Sequence, residues 1–442
     1  MSQTGSGSTD IATEARQNIQ QAMSGLKEMS EATSITLLTM LTFSIIVIAF
    51  MYYFYYTGTG NFGGIAIIII LTIMFSILGQ GIMEQKGAII GGILGLIIGI
   101  TIYVNMSNNM LTRECKLMDG VYGDLNTNIL SINTTQPKFQ ANLRDFYIKS
   151  AYNCCSGGNY KNDYVSMCTL KDLLKQGVRG LDFEIYSIDD QPVVATSTAD
   201  NYCVKETFNY INFSDIMSTI VNNAFSSSGA PNPADPIIFH LRIKSENQNM
   251  YKNFAKIFEK HSDMLMGKSY SFENMKNNAA TNFGATPLTA LMGKISIIVD
   301  RSNTSFLECK EFYEYVNMTS NSIFMRELTF DDVKYNSDIA ELTEYNKLCM
   351  TIGIPNPGSN PDNPSSVVLR ETGCQMLAMR YQNIDSNIEE NEAFFNENNT
   401  AFVLKPLSLR YTQVTIPAPP PQDPALSYAP RTVKSDYFSF NI

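Results

Sequence analysis

Asp182 and Glu184 are the side chains of this sequence best placed to do chemistry. They lie in the run 176–197, QGVRGLDFEIYSIDDQPVVATS, where apolar Leu181, Phe183 and Ile185 alternate with Gly180, Asp182 and Glu184. A period of two is the pattern of a strand, so both carboxylates leave it on one face. Two such acids repel unless a cation lies between them. That cation is either a metal ion or a guanidinium, and Arg179 stands three residues before Asp182. The window alone also admits a third reading, an acidic pair on the solvent face of an ordinary strand.

Segments that alternate between strand and helix patterns must position this pair. Strands are expected at 145–149, 180–185, 192–195, 236–243 and 294–299, and helices at 169–176, 213–225 and 250–261. Such alternation implies a parallel α/β sheet. His240 shares a strand face with Arg242 two residues on, one side-chain layer deeper, and reads as a satisfied core histidine. His261 closes an amphipathic segment and reads as a helix-end cation.

The order of several motifs resembles the eukaryotic phosphoinositide-specific phospholipase C family. Ser150-Ala-Tyr152-Asn153-Cys, Gly177-Val-Arg179-Gly-Leu-Asp182-Phe-Glu184 and Pro192-Val-Val-Ala-Thr196-Ser197 stand where that family has Ser-His-Asn-Thr-Tyr, Gly-x-Arg-x-x-Glu-x-Asp and Pro-x-x-x-His-Gly. Pro236-Ile-Ile-Phe-His240-Leu-Arg242 and the strand led by Lys294 follow in register, as do Gly373-Cys-Gln-Met-Leu-Ala-Met-Arg380 and Phe402-Val-Leu-Lys405-Pro406. The resemblance runs over residues 146–410, about three-fifths of the chain, and implies an α/β fold closed as a distorted TIM-type barrel, with active groups at the C-terminal ends of the strands. It covers the family's two conserved halves, without the long acidic insert of animal enzymes.

Carried over residue by residue, the resemblance implies an altered site. The two catalytic histidines of the family fall on Tyr152 and Thr196, neither of which can shuttle protons near neutral pH. One such group is worth about 10²–10⁴ in rate, so the loss of both is large. Three calcium-ligand positions keep an oxygen donor, Asn153, Asp182 and Glu184, while the fourth is Arg242. Calcium takes about six to eight oxygens and favours negative charge, so a guanidinium there opposes the metal. Arg242 is expected to take the cation's place by pairing with Asp182 or Glu184. No cofactor is then needed, though calcium stays open if the acids remain competent. Arg242, Arg179 and Lys294 are the candidate cations for an anionic ligand such as a phospholipid head group. The Arg-x-Tyr-Pro phosphate-binding element of the family is missing, its nearest equivalent being Met350-Thr-Ile352.

The rest of the 442 residues divides by composition. The mean hydropathy of −0.07 averages a soluble domain with three nearly uncharged apolar runs, 36–56, 64–83 and 87–104. Each is about 18–21 residues, long enough to span a bilayer as a transmembrane helix. Only Glu84-Gln-Lys86 separates the second from the third, which suits a helical hairpin, and Gly87, Gly91, Gly95 and Gly99 form a small-residue stripe for close packing. The expected organisation is a polar, amphipathic segment 1–34, three transmembrane helices in 35–104, a connector 105–140, the barrel 141–412, and a Pro-rich tail 413–442 suited to a protein partner's groove. Net charge of −10 excludes nucleic acid as a natural partner. Neither the flanking charges nor eight scattered cysteines decide which side of the membrane holds the barrel.

Three functions remain. The first is a multi-pass, membrane-anchored phospholipase C-like module, catalytically inactive, that binds or builds at a membrane. The second is an active phosphodiesterase using His240 or Tyr152. The third is a structural membrane protein of a virion or similar assembly.

Overall fold

The computed structural model describes residues 60–123, 127–198, 203–271, 282–412, 418–421 and 429–442, with four isolated positions near the N-terminus. Those four, Gln17, Gln20, Gln21 and Ser24, are helical and exposed, matching the polar side of the expected amphipathic helix, whose apolar residues lie outside the described set. The apolar run 36–56 also lies outside it.

Eight parallel strands form the barrel. They are β1 (Phe146–Ala151), β2 (Gly180–Ile188), β5 (Ile237–Ile243), β6 (Ile295–Asp300), β7 (Met318–Ser320), β8 (Met325–Thr329), β9 (Met350–Ile354) and β10 (Met376–Met379), in the spatial order β7-β6-β5-β2-β1-β10-β9-β8. Ladders join every neighbour in that path but not its two ends, so the ring is nearly closed between β7 and β8. β3 (Gln191–Val194) returns antiparallel to β2 through Asp189 and Asp190, both at positive φ, as a two-residue hairpin with a primed turn requires. β4 (Ile211–Asn212) extends that hairpin, and β11 (Phe402–Leu404) runs antiparallel to β1.

Side-chain alternation sorts each strand between barrel interior and helix layer. Leu181, Phe183 and Ile185 of β2 and Phe239 and Leu241 of β5 pack outward into one core with Phe213 and Phe254. Phe213 and Phe254 sit on the two helices that follow β4 and β5, Phe213–Ala224 and Gln248–Lys260, their rings 4.6 Å apart. Gly180, Asp182 and Glu184 are thereby left facing inward, as their period of two requires. Asn247 caps the second of those helices by accepting from the amides of Asn249 and Met250.

Two expectations about the N-terminal half need correction. First, Gly60–Tyr122 is assigned as helix throughout, so the connector expected at 105–140 is helical as far as Tyr122. Its last turns belong to the barrel: Met118 and Tyr122 are buried in the main core, the Tyr122 hydroxyl donates to the Tyr381 carbonyl at 2.8 Å, and a Cys115–Cys168 disulfide ties the helix to the start of Met167–Lys175. The reason is Met118 and Tyr122, one helical turn apart, which are buried on the barrel while Leu117 and Val121 beside them stay exposed. Second, of the two expected spans that fall on described residues, 64–83 and 87–104, only the latter is matched at full length, and 36–56 lies outside the described residues. Among the described residues one apolar run, Gln85–Asn105, is long enough to cross a membrane, and its partner Ile68–Gln80 is shorter.

The expected hairpin, however, is present. In a straight helix Ile68 and Gly99 would be about 46 Å apart, yet a Cβ on Gly99 would lie 2.9 Å from the Ile68 Cα. One on Gly95 would lie 2.5 Å from the Leu71 carbonyl oxygen, and Cβ atoms on Gly79 and Gly91 would run into the carbonyls of Gly87 and Phe75. The helix doubles back between Gln80 and Gln85, and the glycine stripe lets the arms touch. Gly95→Leu is expected to part them. Cysteines placed at Leu71 and Ile98, which pack together, should cross-link in the parent and lose that cross-link in Gly95→Leu; an undiminished cross-link would refute the packing.

Candidate functional site

The parallel register of β2 and β5 sets Asp182 beside His240 and Glu184 beside Arg242. All four project into the C-terminal half of the barrel. The Arg242 guanidinium does not bond the glutamate opposite it. It reaches one layer down, its Nε to Asp182 Oδ1 at 3.1 Å and its Nη2 to Asp182 Oδ2 at 2.9 Å, a two-pronged charge-assisted pair. Its other terminal nitrogen stays 3.8 Å from Glu184 Oε2. The same Nη2 donates to Asn153 Oδ1 at 2.9 Å, and the Tyr152 ring lies 4.4 Å from the guanidinium carbon.

Asn153 is positioned by its backbone. It sits at φ 48°, a left-handed conformation that asparagine tolerates. The turn aims its amide at Asp182 Oδ2, 3.0 Å away, while its side chain meets Arg242. His240 completes the cluster, with Nδ1 2.8 Å from Asp182 Oδ1 and Nε2 2.9 Å from Ser320 Oγ. It is fully buried with both nitrogens engaged, as expected for a satisfied core histidine.

Electrostatics separates the two acids. Burial would raise the Asp182 carboxyl, but the Arg242 charge and the hydrogen bonds from His240 and Arg242 carry it well below the usual carboxylate range. Glu184 goes the other way: burial raises it and outweighs the pull of Arg242. Its oxygens accept from the Tyr186 hydroxyl at 2.7 Å and, at 3.3 Å, from the Ser197 amide. Burial lowers His240, yet the hydrogen bond to Asp182 and the charges of Glu327, Asp182 and Asp300 leave it raised overall.

Not every candidate converges here. Arg179 lies just before β2, at the opposite end of the barrel, fully buried and bonded to the Ala224 carbonyl and to Asn232 Oδ1 at 3.0 and 2.7 Å. Burial brings its guanidinium down to about 10. Lys294 lies just before β6 at that same end and donates to the Asp263 carbonyl. Neither belongs to a ligand site at the mouth, because a cation one residue ahead of a strand stands at the wrong pole of a parallel barrel. Thr196 is buried in the wall, its hydroxyl donating to the Tyr160 carbonyl at 2.9 Å.

Ser320, Glu327, Tyr186 and Ser197 escaped the sequence reading. Tyr186 was within reach of it, since it continues the inward-facing alternation of Asp182 and Glu184. Glu327, 3.4 Å from His240 Nε2, comes from β8, in a stretch read only as the join between two halves.

The phosphatidylinositol-specific phospholipase C X domain matches residues 139–299, and the Y domain of the same enzymes matches 299–408. The barrel belongs to the phosphatidylinositol-specific phospholipase C family. Among solved structures, PLC21 of L. pealei and PLC21 of S. officinalis are each 18% identical with TM-score 0.49, over 64% of this chain and 39% of theirs. This chain therefore spans well under half the length of those two proteins. The calcium-dependent phosphoinositol-specific phospholipase C of a Pseudomonas species is 10% identical with TM-score 0.40, over 63% of this chain and 100% of its own. No curated protein matches the sequence.

Calcium, which the family implies, does not fit this donor set. Both Asp182 oxygens and the Asn153 oxygen accept from N–H groups, both Glu184 oxygens are engaged, and a guanidinium stands among them. A calcium ion would have to displace the guanidinium, which fills the space between these oxygens and whose positive charge opposes the metal. Solvent is also excluded: Asp182, Glu184 and Arg242 are 1%, 1% and 3% exposed.

Proposed function

We propose that the protein is a catalytically inactive phospholipase C-like barrel, anchored in a membrane, where it serves as a binding or structural module. The observation that carries this reading is the Arg242 fork on Asp182, which takes the role a metal would have beside that carboxylate. Two further features support it. Tyr152 and Thr196, at the positions the resemblance gives to proton carriers, are spent on packing: the phenol of Tyr152 is pushed well above its ordinary value by burial, and the Thr196 hydroxyl holds a loop carbonyl. Membrane anchoring draws on Gln85–Asn105, whose Ile89, Ile90, Ile93, Leu94, Ile97 and Ile100 point outward from the hairpin. Lipid is the natural cover for such a face.

A working phosphodiesterase built on His240 is disfavoured because substrate cannot approach a side chain that is fully buried and held at both nitrogens. The deciding experiment incubates the purified full-length protein with phosphatidylinositol vesicles and calcium. No inositol phosphate should be released above the rate with a heat-treated sample. Turnover that disappears in Asp182→Asn would overturn the proposal.

A further inference from the structure

Between the helix Gly60–Tyr122 and the mouth of the barrel lies a groove of about 230 Å³, lined in part by Glu114, Met118, Gly158, Asn159, Asn360 and Gln382. Glu114 meets a second carboxylate there. A Cβ on Gly158 would lie 2.8 Å from Glu114 Oε2 and would run into Asp163 Oδ2, so the two acids flank one bare α-carbon. Gly157 is as closely approached, since a Cβ there would sit 2.9 Å from that of Glu114. The helix therefore rests directly on the Gly157-Gly158 backbone.

The loop it rests on closes the mouth. An isolated bridge, Ser156 to Val165, pinches its base. Asp163 holds its shape by accepting from the amides of Asn159 and Tyr164, both at 2.9 Å. At its tip the Tyr160 ring packs edge-on against Tyr152, 5.6 Å between centroids, and its hydroxyl accepts from Arg380 Nε at 2.9 Å. Tyr152 in turn covers Arg242. The chain of contact thus runs from Glu114 through Asp163 and the loop to the buried Asp182–Arg242 pair.

We propose that Glu114 and Asp163 form a proton-operated latch between the membrane-side helix and the loop that closes the barrel mouth. With one proton between them the carboxyls tolerate each other; with none they repel, and the loop loosens. The helix itself is fixed by the Cys115–Cys168 disulfide and by Tyr122 on Tyr381, so the loop is the part that gives.

Other charges do not cancel the effect. Facing Glu114 are Asp163 from the loop and Arg113 from its own helix; Asn159, Asn360 and Gln382 are neutral, and the Tyr381 hydroxyl is turned away to Glu392 at 2.7 Å. Burial, then Asp163, push the Glu114 carboxyl up to about 7, against a smaller opposing pull from Arg113. A carboxyl raised in the docked state binds more protons docked than undocked between its ordinary value and about 7. Docking therefore weakens as pH rises through that window.

Hydrogen exchange of the full-length protein in nanodiscs, corrected for intrinsic rates, tests the latch. Amides 158–164 should lose protection by about tenfold or more between pH 5.5 and 8.5, while those of β2 and β5 stay unchanged. Glu114→Gln should keep the protection and lose its pH dependence. A loop equally protected at both pH values, or a pH dependence that survives Glu114→Gln, would overturn the proposal. Should Glu114→Gln fold poorly, Glu114→Ala must likewise abolish the pH dependence, and its persistence there would also overturn the latch.

Discussion

Arg242→Met is expected to destabilise the barrel by about 3–5 kcal/mol, the cost of leaving a buried charge without its partner. Methionine fills much of the same space, so the loss is electrostatic rather than a cavity. Asp182 would keep His240 and the Asn153 amide, and Glu184 would lose the nearer of its cations, leaving Lys244. The effect carries a pH signature. In the parent the Asp182 carboxyl is depressed, so its contribution is present above the ordinary carboxylate value and fades as pH falls through the lowered one. Without Arg242 the depression shrinks, and the acid limb of the stability curve moves to higher pH. Asp182→Asn placed on Arg242→Met should recover part of the loss, because the second change neutralises the stranded charge. Urea midpoints of the parent, single and double variants at pH 7 and pH 4 check this. A single variant within about 0.5 kcal/mol of the parent would mean that the fork contributes little.

Which parts of this site could be read from sequence follows from what each pattern encodes. Strand alternation specifies a face, and it put Asp182, Glu184, His240 and Arg242 inside the barrel with His240 a layer below Arg242, as found. It does not specify a partner. Arg242 lies opposite Glu184 in the register yet bonds Asp182, because Tyr186 and the Ser197 amide already occupy Glu184. Nor does a motif's spacing say which pole of the barrel a side chain occupies. Arg179 and Lys294 were grouped with Arg242 by charge, and the strand boundaries separate them, since each precedes the first residue of its strand. The helix past Asn105 was missed for a related reason: two buried apolar residues one turn apart, Met118 and Tyr122, are a weak signal until the surface they pack on is known. The Cys115–Cys168 pairing joins positions 53 apart, and no spacing rule selects that pair from eight cysteines.

The second large effect is expected from reversing the charge. Arg242→Glu would place a third carboxylate beside Asp182 and Glu184, with Asn153 as a fourth oxygen-donating residue, and would release the acceptors now held by the guanidinium. Without a cation such a cluster repels itself, and the variant should be far less stable than the parent in chelator. With calcium the same repulsion becomes affinity, because oxygen donors and negative charge are what that ion requires. Calcium at about a hundredfold its dissociation constant adds about 2.7 kcal/mol. For a barrel of this size that is a rise of several degrees in Tm, at about 2–4 °C per kcal/mol. The parent should show no shift, since its guanidinium already occupies the centre of the cluster. Thermal melts of both proteins in chelator and in millimolar calcium separate the cases. If calcium stabilises the parent and leaves Arg242→Glu unmoved, the arginine is no substitute for a metal, and the acids of β2 must bind a cation by some other arrangement.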